Sequence, residues 1–390
     1  MNEQPEPEKM LDRDNLLTEA KQRAGSDDFG PDWFLGPMEI VLKSIREEAR
    51  LSEMGTFIQR ETILNGLVNR LRMFDAIKKY PEILDEDVHV SGIMLGLPRT
   101  GSTMLHRLLA TAPGMTGVKW WETQNFSPFP DEERGSPEPR REAANQILKA
   151  MLESVPDLTS IHPFSIDGPD EEVIILGQFF VSTMAPSTLY VPSYSKWLIS
   201  ADQKPGYEDL KTVLKFLQWQ DTSRKGKRWV LKAPTHVTAP GTALEVFPES
   251  KLIMTHRDPL QTIPSFCSMV ASLYKLTSDQ VDPVEAAEYT ESSWAGHLNR
   301  LAEFRKSADP DRFIDVRYED QLKDPHAIVR MVLDKLGVDT SSEIDRHISD
   351  WLEENAREKR AAHKYSMEEF GLTEDKIKND FAFYTAQFLS

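Results

Sequence analysis

Two stretches of this chain carry residue types at spacings suited to holding anions. Gly96-Leu97-Pro98-Arg99-Thr100-Gly101-Ser102-Thr103 has the Gly-x4-Gly pattern followed by two hydroxyl side chains. A turn of that kind lets backbone amides converge on one anion at the start of a helix. Ser102 stands where a nucleoside-triphosphate loop needs its lysine, and Arg99 is the one cation inside the loop. A lysine-held β/γ-phosphate with its paired Mg2+ is therefore not expected. In the second stretch Arg257 closes an apolar run, Lys251 to His256, and Ser265 follows eight residues later. An arginine fork beside a hydroxyl suits a second phosphate held apart from the first. Asp258 and Pro259 also read simply as the cap and first residue of the next helix.

A third group could move protons or hold a fixed charge. Glu122 lies in Lys-Trp-Trp-Glu, where aromatic neighbours are expected to raise its pKa by desolvation. Lys232 ends a second apolar run, and His236 follows it by four residues. His106 sits four residues after Ser102 and reads equally as a packed helical histidine, while His162 precedes Asp170, Glu171 and Glu172 and is placed to orient a loop. No pair shows the His-Glu-x-x-His spacing of a metal site.

The elements that must position these groups alternate between strand and helix. Val88–Leu95 reads as a buried strand ending at Gly96, with a helix over Ser102–Ala112 behind it. Further strands are expected at Trp229–Leu231, Leu252–Met254 and Phe313–Val316. Helices are expected over Arg140–Ser154, Glu171–Thr183, Tyr207–Thr222, Thr238–Phe247 and Pro259–Lys306. That alternation predicts an α/β fold of three layers, a parallel sheet covered by helices on both faces. In open sheets of this kind ligands lie at the carboxyl edge of the strands, where Arg257 and Lys232 fall. Asp32–Ile83 repeats apolar residues at helical spacing, and the tail from Pro325 is helical and amphipathic. We expect residues 1–85 to form a helical extension on the core, 86–338 the core, and 339–390 a C-terminal helical segment. The first dozen residues, rich in Pro, Glu and Asp, are expected to be disordered.

Composition narrows the partners. Among 390 residues, 46 Lys and Arg oppose 63 Asp and Glu, a net charge of −17. A surface that acidic repels nucleic acids and sulfated polysaccharides, so an anionic ligand must be held by a few local groups. One cysteine, Cys267, excludes internal disulfides and cysteine-based metal clusters. The first fifteen residues have no apolar core of the signal-peptide kind, and Val173–Tyr190 is too interrupted to span a membrane. A soluble, cytoplasmic protein is expected. The basic run Arg224–Arg228 reads as a solvated loop, with anion steering as the alternative.

Several motifs in order resemble the sulfotransferases that use 3′-phosphoadenosine 5′-phosphosulfate (PAPS), in particular the large bacterial-type branch. They are Gly-Leu-Pro-Arg-Thr-Gly-Ser-Thr at 96–103, Trp-Glu at 121–122, Val-Leu-Lys-Ala-Pro at 230–234, Thr-His-Arg-Asp-Pro at 255–259 and Tyr-Glu-Asp at 318–320. His-Lys-Tyr-Ser at 363–366 and Phe-Gly-Leu at 370–372 complete the set. The resemblance implies that Arg99, Thr100, Gly101, Ser102 and Thr103 hold the 5′-phosphosulfate, Arg257 and Ser265 the 3′-phosphate, and that Tyr318 approaches the adenine. Met104 stands where some relatives place an adenine-stacking tryptophan, and Pro264 removes an amide just before Ser265. Lys232 matches a lysine that stabilises the leaving oxygen. Glu122 matches a glutamate that is the base in tyrosylprotein sulfotransferases. His236 departs from the family's histidine spacing, since Pro234 takes that place, and the choice of base between Glu122 and His236 stays open.

PAPS carries two separated anionic groups, which agrees with the two anion sites. The implied reaction is in-line transfer of its sulfuryl group to a hydroxyl, governed by positioning and charge stabilisation without a metal. Trp120, Trp121, Phe126, Phe129, Phe164, Phe179 and Phe180 suit a small, rather apolar alcohol, phenol or lipid as acceptor, or are core. Two alternatives remain at this level, a P-loop nucleotide kinase or triphosphatase and a non-catalytic protein that binds PAPS or its product.

Overall fold

Strand burial decides the architecture. In β1 (His89–Leu95), β3 (Arg228–Lys232) and β4 (Lys251–His256) every residue after the first is buried, as in strands covered on both faces. The computed structural model describes residues 10–155, 164–338, 342–355 and 366–390. In it five parallel strands pair in the order β2-β3-β1-β4-β5, where β2 is Met115–Thr116 and β5 is Phe313–Arg317. The expected three-layer α/β fold is what forms. Strand β2 escaped the sequence reading because two residues carry no periodicity; pairing with β3 makes it a strand.

Side chains alternate between two cores. Ile93 and Leu95, Trp229 and Leu231, and Leu252 and Met254 face a large core shared with the N-terminal helices α1 (Arg13–Ala24), α2 (Leu35–Glu48) and α3 (Glu53–Lys79). Met94, Val230, Ile253 and Ile314 face a second core closed by α4 (Ser102–Ala110) and by helices Pro325–Lys335 and Ser342–Glu354. Phe370, Leu372, Phe381 and Tyr384 of the C-terminal segment are buried in the first core. Both ends of the chain therefore share apolar cores with the sheet.

Two helix expectations are corrected. The helix expected over Pro259–Lys306 is two, Pro259–Tyr274 and Pro283–Ser307, because Asp282 accepts from the amides of Val284 and Glu285 and Pro283 starts a new helix. Glu171–Thr183 is helical only over Val173–Gln178, and Phe180 beyond it takes a positive φ of 62°. The expected disorder and the motif residues His363, Lys364 and Tyr365 bear on segments partly or wholly outside the described residues, although α1 is ordered from Arg13. Among the described residues no helix is long and apolar enough to cross a membrane.

Candidate active site

The anion loop follows β1 directly. Gly96 (φ 126°), Arg99 (φ 68°) and Gly101 (φ 81°) all turn left-handed, which folds the loop back over the first turn of α4. The two glycines supply that geometry without strain; Arg99 adopts it with a side chain. Thr100 Oγ1 donates to Leu97 O (2.9 Å) and lies 2.5 Å from Thr255 Oγ1 on β4, which pins the loop to the sheet. The amide of Leu105 bonds Gly101 O, so the first amides of α4 belong to the helix N-terminus and carry its partial positive charge.

The second anion group converges on the same loop. Arg257 Nη1 donates to Arg99 O (3.0 Å), and Arg99 Nε donates to Ser265 Oγ (3.2 Å). The Arg257 guanidinium lies 4.2 Å from the Tyr318 ring centroid. A Cβ on Gly101 would come within 2.8 Å of that ring, so the glycine is needed for close approach as well as for φ. Pro264 does not break its helix, which runs on from Pro259 to Tyr274. Thus Arg99, Thr100, Gly101, Ser102, Thr103, Arg257, Ser265 and Tyr318 form one contiguous cradle at the carboxyl edge of β1 and β4.

Lys232, at the carboxyl end of β3, points its ammonium at Thr103 Oγ1 (3.4 Å) and pairs with Glu171. Glu171 was missed as a chemical candidate; it read only as part of an acidic triplet near His162. Its signal was position, an acidic run directly ahead of an apolar helical segment. The segment carrying it is held by an isolated antiparallel bridge between Lys119 and Pro169 and by Asp170 N donating to Val118 O (2.8 Å). Beneath it the Glu172 carboxylate accepts from the Lys232 amide (3.1 Å) and lies 2.5 Å from His236 Nε2. His236 Nδ1 is 2.7 Å from the Tyr207 hydroxyl. Burial pushes the Glu172 pKa up, but the His236 hydrogen bond and charge outweigh it and hold the carboxyl below its usual range.

The two proposed bases lie elsewhere than expected. Glu122 is 2% exposed; Arg224 Nη2 donates to one carboxylate oxygen (2.7 Å) and the Lys119 amide to the other (2.8 Å). His236 is fully buried between Glu172 and Tyr207. Neither lines the cavity described below, whereas Glu171 and Lys232 do. The basic run is corrected at one residue: Arg224 is buried against the Trp229 ring and paired with Glu122, while Lys225 and Gly226 are exposed as expected of a solvated loop. His106 is buried on α4, within 3.3 Å of Val230 O, and desolvation lowers its pKa to about 4. His162 lies outside the described residues.

A cavity of about 1230 Å³ opens from the loop and Lys232. Of the seven aromatic residues expected around an acceptor, Trp120, Phe129, Phe164 and Phe180 line it. Trp121, Phe126 and Phe179 are core, as the alternative reading of that group held. No group of three or more His, Cys, Asp or Glu side chains among the described residues is arranged to hold a metal ion.

The fold is shared with proteins already known. The chain is 26% identical to sulfotransferase STF9 from Mycobacterium avium, with a TM-score of 0.85 over 97% of both chains. It is 28% identical to sulfotransferase STF1 from Mycobacterium tuberculosis, with a TM-score of 0.82 over 95% of this chain and 98% of that one. It is also 25% identical over 296 residues to the omega-hydroxy-beta-dihydromenaquinone-9 sulfotransferase Stf3 of Mycobacterium tuberculosis, covering 72% of this chain and 71% of the relative. The family model described as the sulfotransferase family matches residues 93–342, from β1 through the anion loop, Lys232, Arg257 and Tyr318. With that span matched, the chain belongs to the sulfotransferase family.

Proposed function

We propose that the sulfuryl donor is PAPS and the acceptor a hydroxyl on an apolar molecule. The observation that carries this is that Arg99, Arg257 and Ser265 gather on the glycine loop, whose inner end opens, at Lys232 and Glu171, onto an apolar cavity. The residues present fit the donor. Arg99 and the loop amides at the start of α4 would take its 5′ end, Arg257 and Ser265 its 3′-phosphate, and the Tyr318 ring its nucleoside side.

The roles of this chain's own groups follow from position. Lys232, held between Thr103 and Glu171, stabilises negative charge on the 5′-phosphate oxygen as its bond to sulfur breaks. Of the carboxylates lining the cavity among the described residues, Glu61, Asp170 and Glu171, the one paired with Lys232 is Glu171, and it can take the acceptor's hydroxyl proton while the new oxygen–sulfur bond forms. The products are the sulfate ester and adenosine 3′,5′-bisphosphate, with the proton on Glu171. Glu172, clamped by His236 and the Lys232 amide, fixes Glu171 and Lys232 relative to one another. The relative Stf3 is named for a hydroxylated menaquinone derivative, which supports a hydroxyl on a hydrophobic molecule as the acceptor class.

The test is ligand-linked stabilisation. Adenosine 3′,5′-bisphosphate without metal should raise the melting temperature, by the linkage that favours any ligand bound only to the folded state. Stabilisation by ATP with Mg2+ and none by the bisphosphate would overturn the donor assignment. Bisphosphate binding without sulfate transfer to any alcohol or phenol would mark a non-catalytic binding protein.

A further inference from the structure

The cavity is much longer than a small alcohol requires, and its shape is set by two helices. Its lining runs along α3 from Phe57 to Arg72, about 22 Å at ~1.5 Å per residue. Opposite, α5 (Glu138–Ser154) contributes Ala143, Gln146, Ile147, Ala150, Met151 and Ser154. These positions fall three and four apart, so one face of α5 is turned to the cavity for about 16 Å. Little among the described residues covers that face: the buried residues of α5 are Arg140 and Ala144.

The exposed apolar surface points to the same place. Of seven exposed large apolar residues among those described, Phe57 (51%), Ile58 (36%) and Ile147 (44%) line this cavity. Met54 (65%) stands one helical turn before Phe57 and Ile58. Scattered apolar residues need no explanation, but a rim of them on the two lips of one groove does. Charge is sparse within. The basic lining residues among those described are Arg23, paired with Glu61 at 2.7 Å; Arg72, over the Phe129 ring at 5.4 Å; Arg99 of the loop; and Lys232. Arg23 and Lys232 are offset by carboxylates of the lining, Glu61 and Glu171, whereas the buried Arg72 Nε has no hydrogen-bond partner among the described residues.

We infer that the acceptor is a long-chain lipid alcohol whose hydroxyl meets Glu171 and Lys232 and whose chain lies between α3 and α5. The inference rests on the sulfotransfer reading above. The α5 side of the groove matches the hydrocarbon depth of one bilayer leaflet, roughly half of ~30 Å, so a lipid chain can lie along it with room to spare. Burying each further methylene adds affinity until the groove is filled, and a short alcohol leaves it wet.

The experiment compares hexadecanol with butanol in one detergent, with PAPS as donor and the full chain as enzyme. Hexadecanol should exceed butanol in kcat/KM by at least about a hundredfold. Ala150→Trp, on an exposed stretch of α5, should obstruct the groove and bring the two alcohols within about threefold of each other. Ile147→Asp, at the mouth, should raise the hexadecanol KM about tenfold or more with little change in kcat. Stabilisation by adenosine 3′,5′-bisphosphate should be unchanged in both variants, which shows that they fold and keep the donor site. Equal kcat/KM for the two alcohols, or a preference that survives both substitutions, overturns the inference and leaves sulfotransfer standing. Bisphosphate binding with no turnover of either alcohol also overturns it. Failure of the bisphosphate to stabilise any version sinks the donor reading first.

Discussion

Glu122 and Glu171 are both acidic side chains paired with a basic one beside β3, Arg224 just before the strand and Lys232 at its carboxyl end, and the two pairs differ in what surrounds them. Glu122 and Arg224 are 3% and 2% exposed, and both Glu122 oxygens are engaged by protein donors. Glu171 is 17% exposed, pairs with Lys232 and faces the cavity. A sealed ion pair can hold a loop but cannot reach an acceptor, whereas one with an open side can exchange its proton partner. Tryptophans beside a glutamate thus mark burial, and burial serves a structural carboxylate as readily as a catalytic one.

Substitutions that spare shape but remove charge should separate the two pairs. Glu171→Gln should lower kcat by about 10²–10⁴-fold, the usual range for loss of a general base, with the melting temperature and bisphosphate binding nearly unchanged. Full activity in that variant would move the base elsewhere and erase the contrast. Glu122→Gln should do the opposite. It leaves the buried Arg224 guanidinium with only the more distant Asp221, 3.4 Å away, at a cost of up to about 3–5 kcal/mol of stability in urea unfolding, while kcat per folded molecule holds. A collapse of kcat in a stably folded Glu122→Gln protein would return the base to Glu122.

Lys232→Met should reduce kcat by about 10²–10³-fold, typical of losing one charge-stabilising donor, with a smaller effect on the bisphosphate melting shift. A variant that loses only donor affinity would make Lys232 a binding residue. The smallest effect concerns pH and the buried layer under the site. His106 is held at about 4 by burial, against 6.5 in an open chain, so the unfolded state takes up a proton that the folded state refuses. Stability is therefore full above about pH 6.5 and falls as pH drops toward 4, by at most ~3 kcal/mol from this group. His106→Gln should flatten that part of a melting-temperature–pH profile. An unchanged slope would mean that His106 is not the group responsible.

The anion cradle was legible residue by residue because its geometry is local. Gly96, Gly101 and Ser102 are consecutive along one strand–turn–helix, and Arg257 and Ser265 share the next such unit. The proton chemistry was not legible in the same way. His236 and Glu122 had the right residue types, but their side-chain partners Glu172, Tyr207 and Arg224 lie 64, 29 and 102 residues away, and only the Lys119 amide that binds Glu122 is close in sequence. Glu171 was hidden for the converse reason: Lys232, which gives it meaning, is 61 residues on.

The sequence by itself determined the parallel α/β sheet, the glycine-rich loop and its arginine pair Arg99 and Arg257, and membership of the sulfotransferase family. These depend on apolar periodicity, glycine conformation and short motifs, all of which act between near neighbours. Only the tertiary structure decided which carboxylate faces the cavity, which basic residue is sealed, and how far the acceptor groove extends. Each of those depends on exposure, which arises where segments distant in the chain meet: α3 against α5 at the groove, β3 against residues 169–172 at the Lys232–Glu171 pair. Pair distance and access to water are properties of that packing, and no single stretch of sequence carries them.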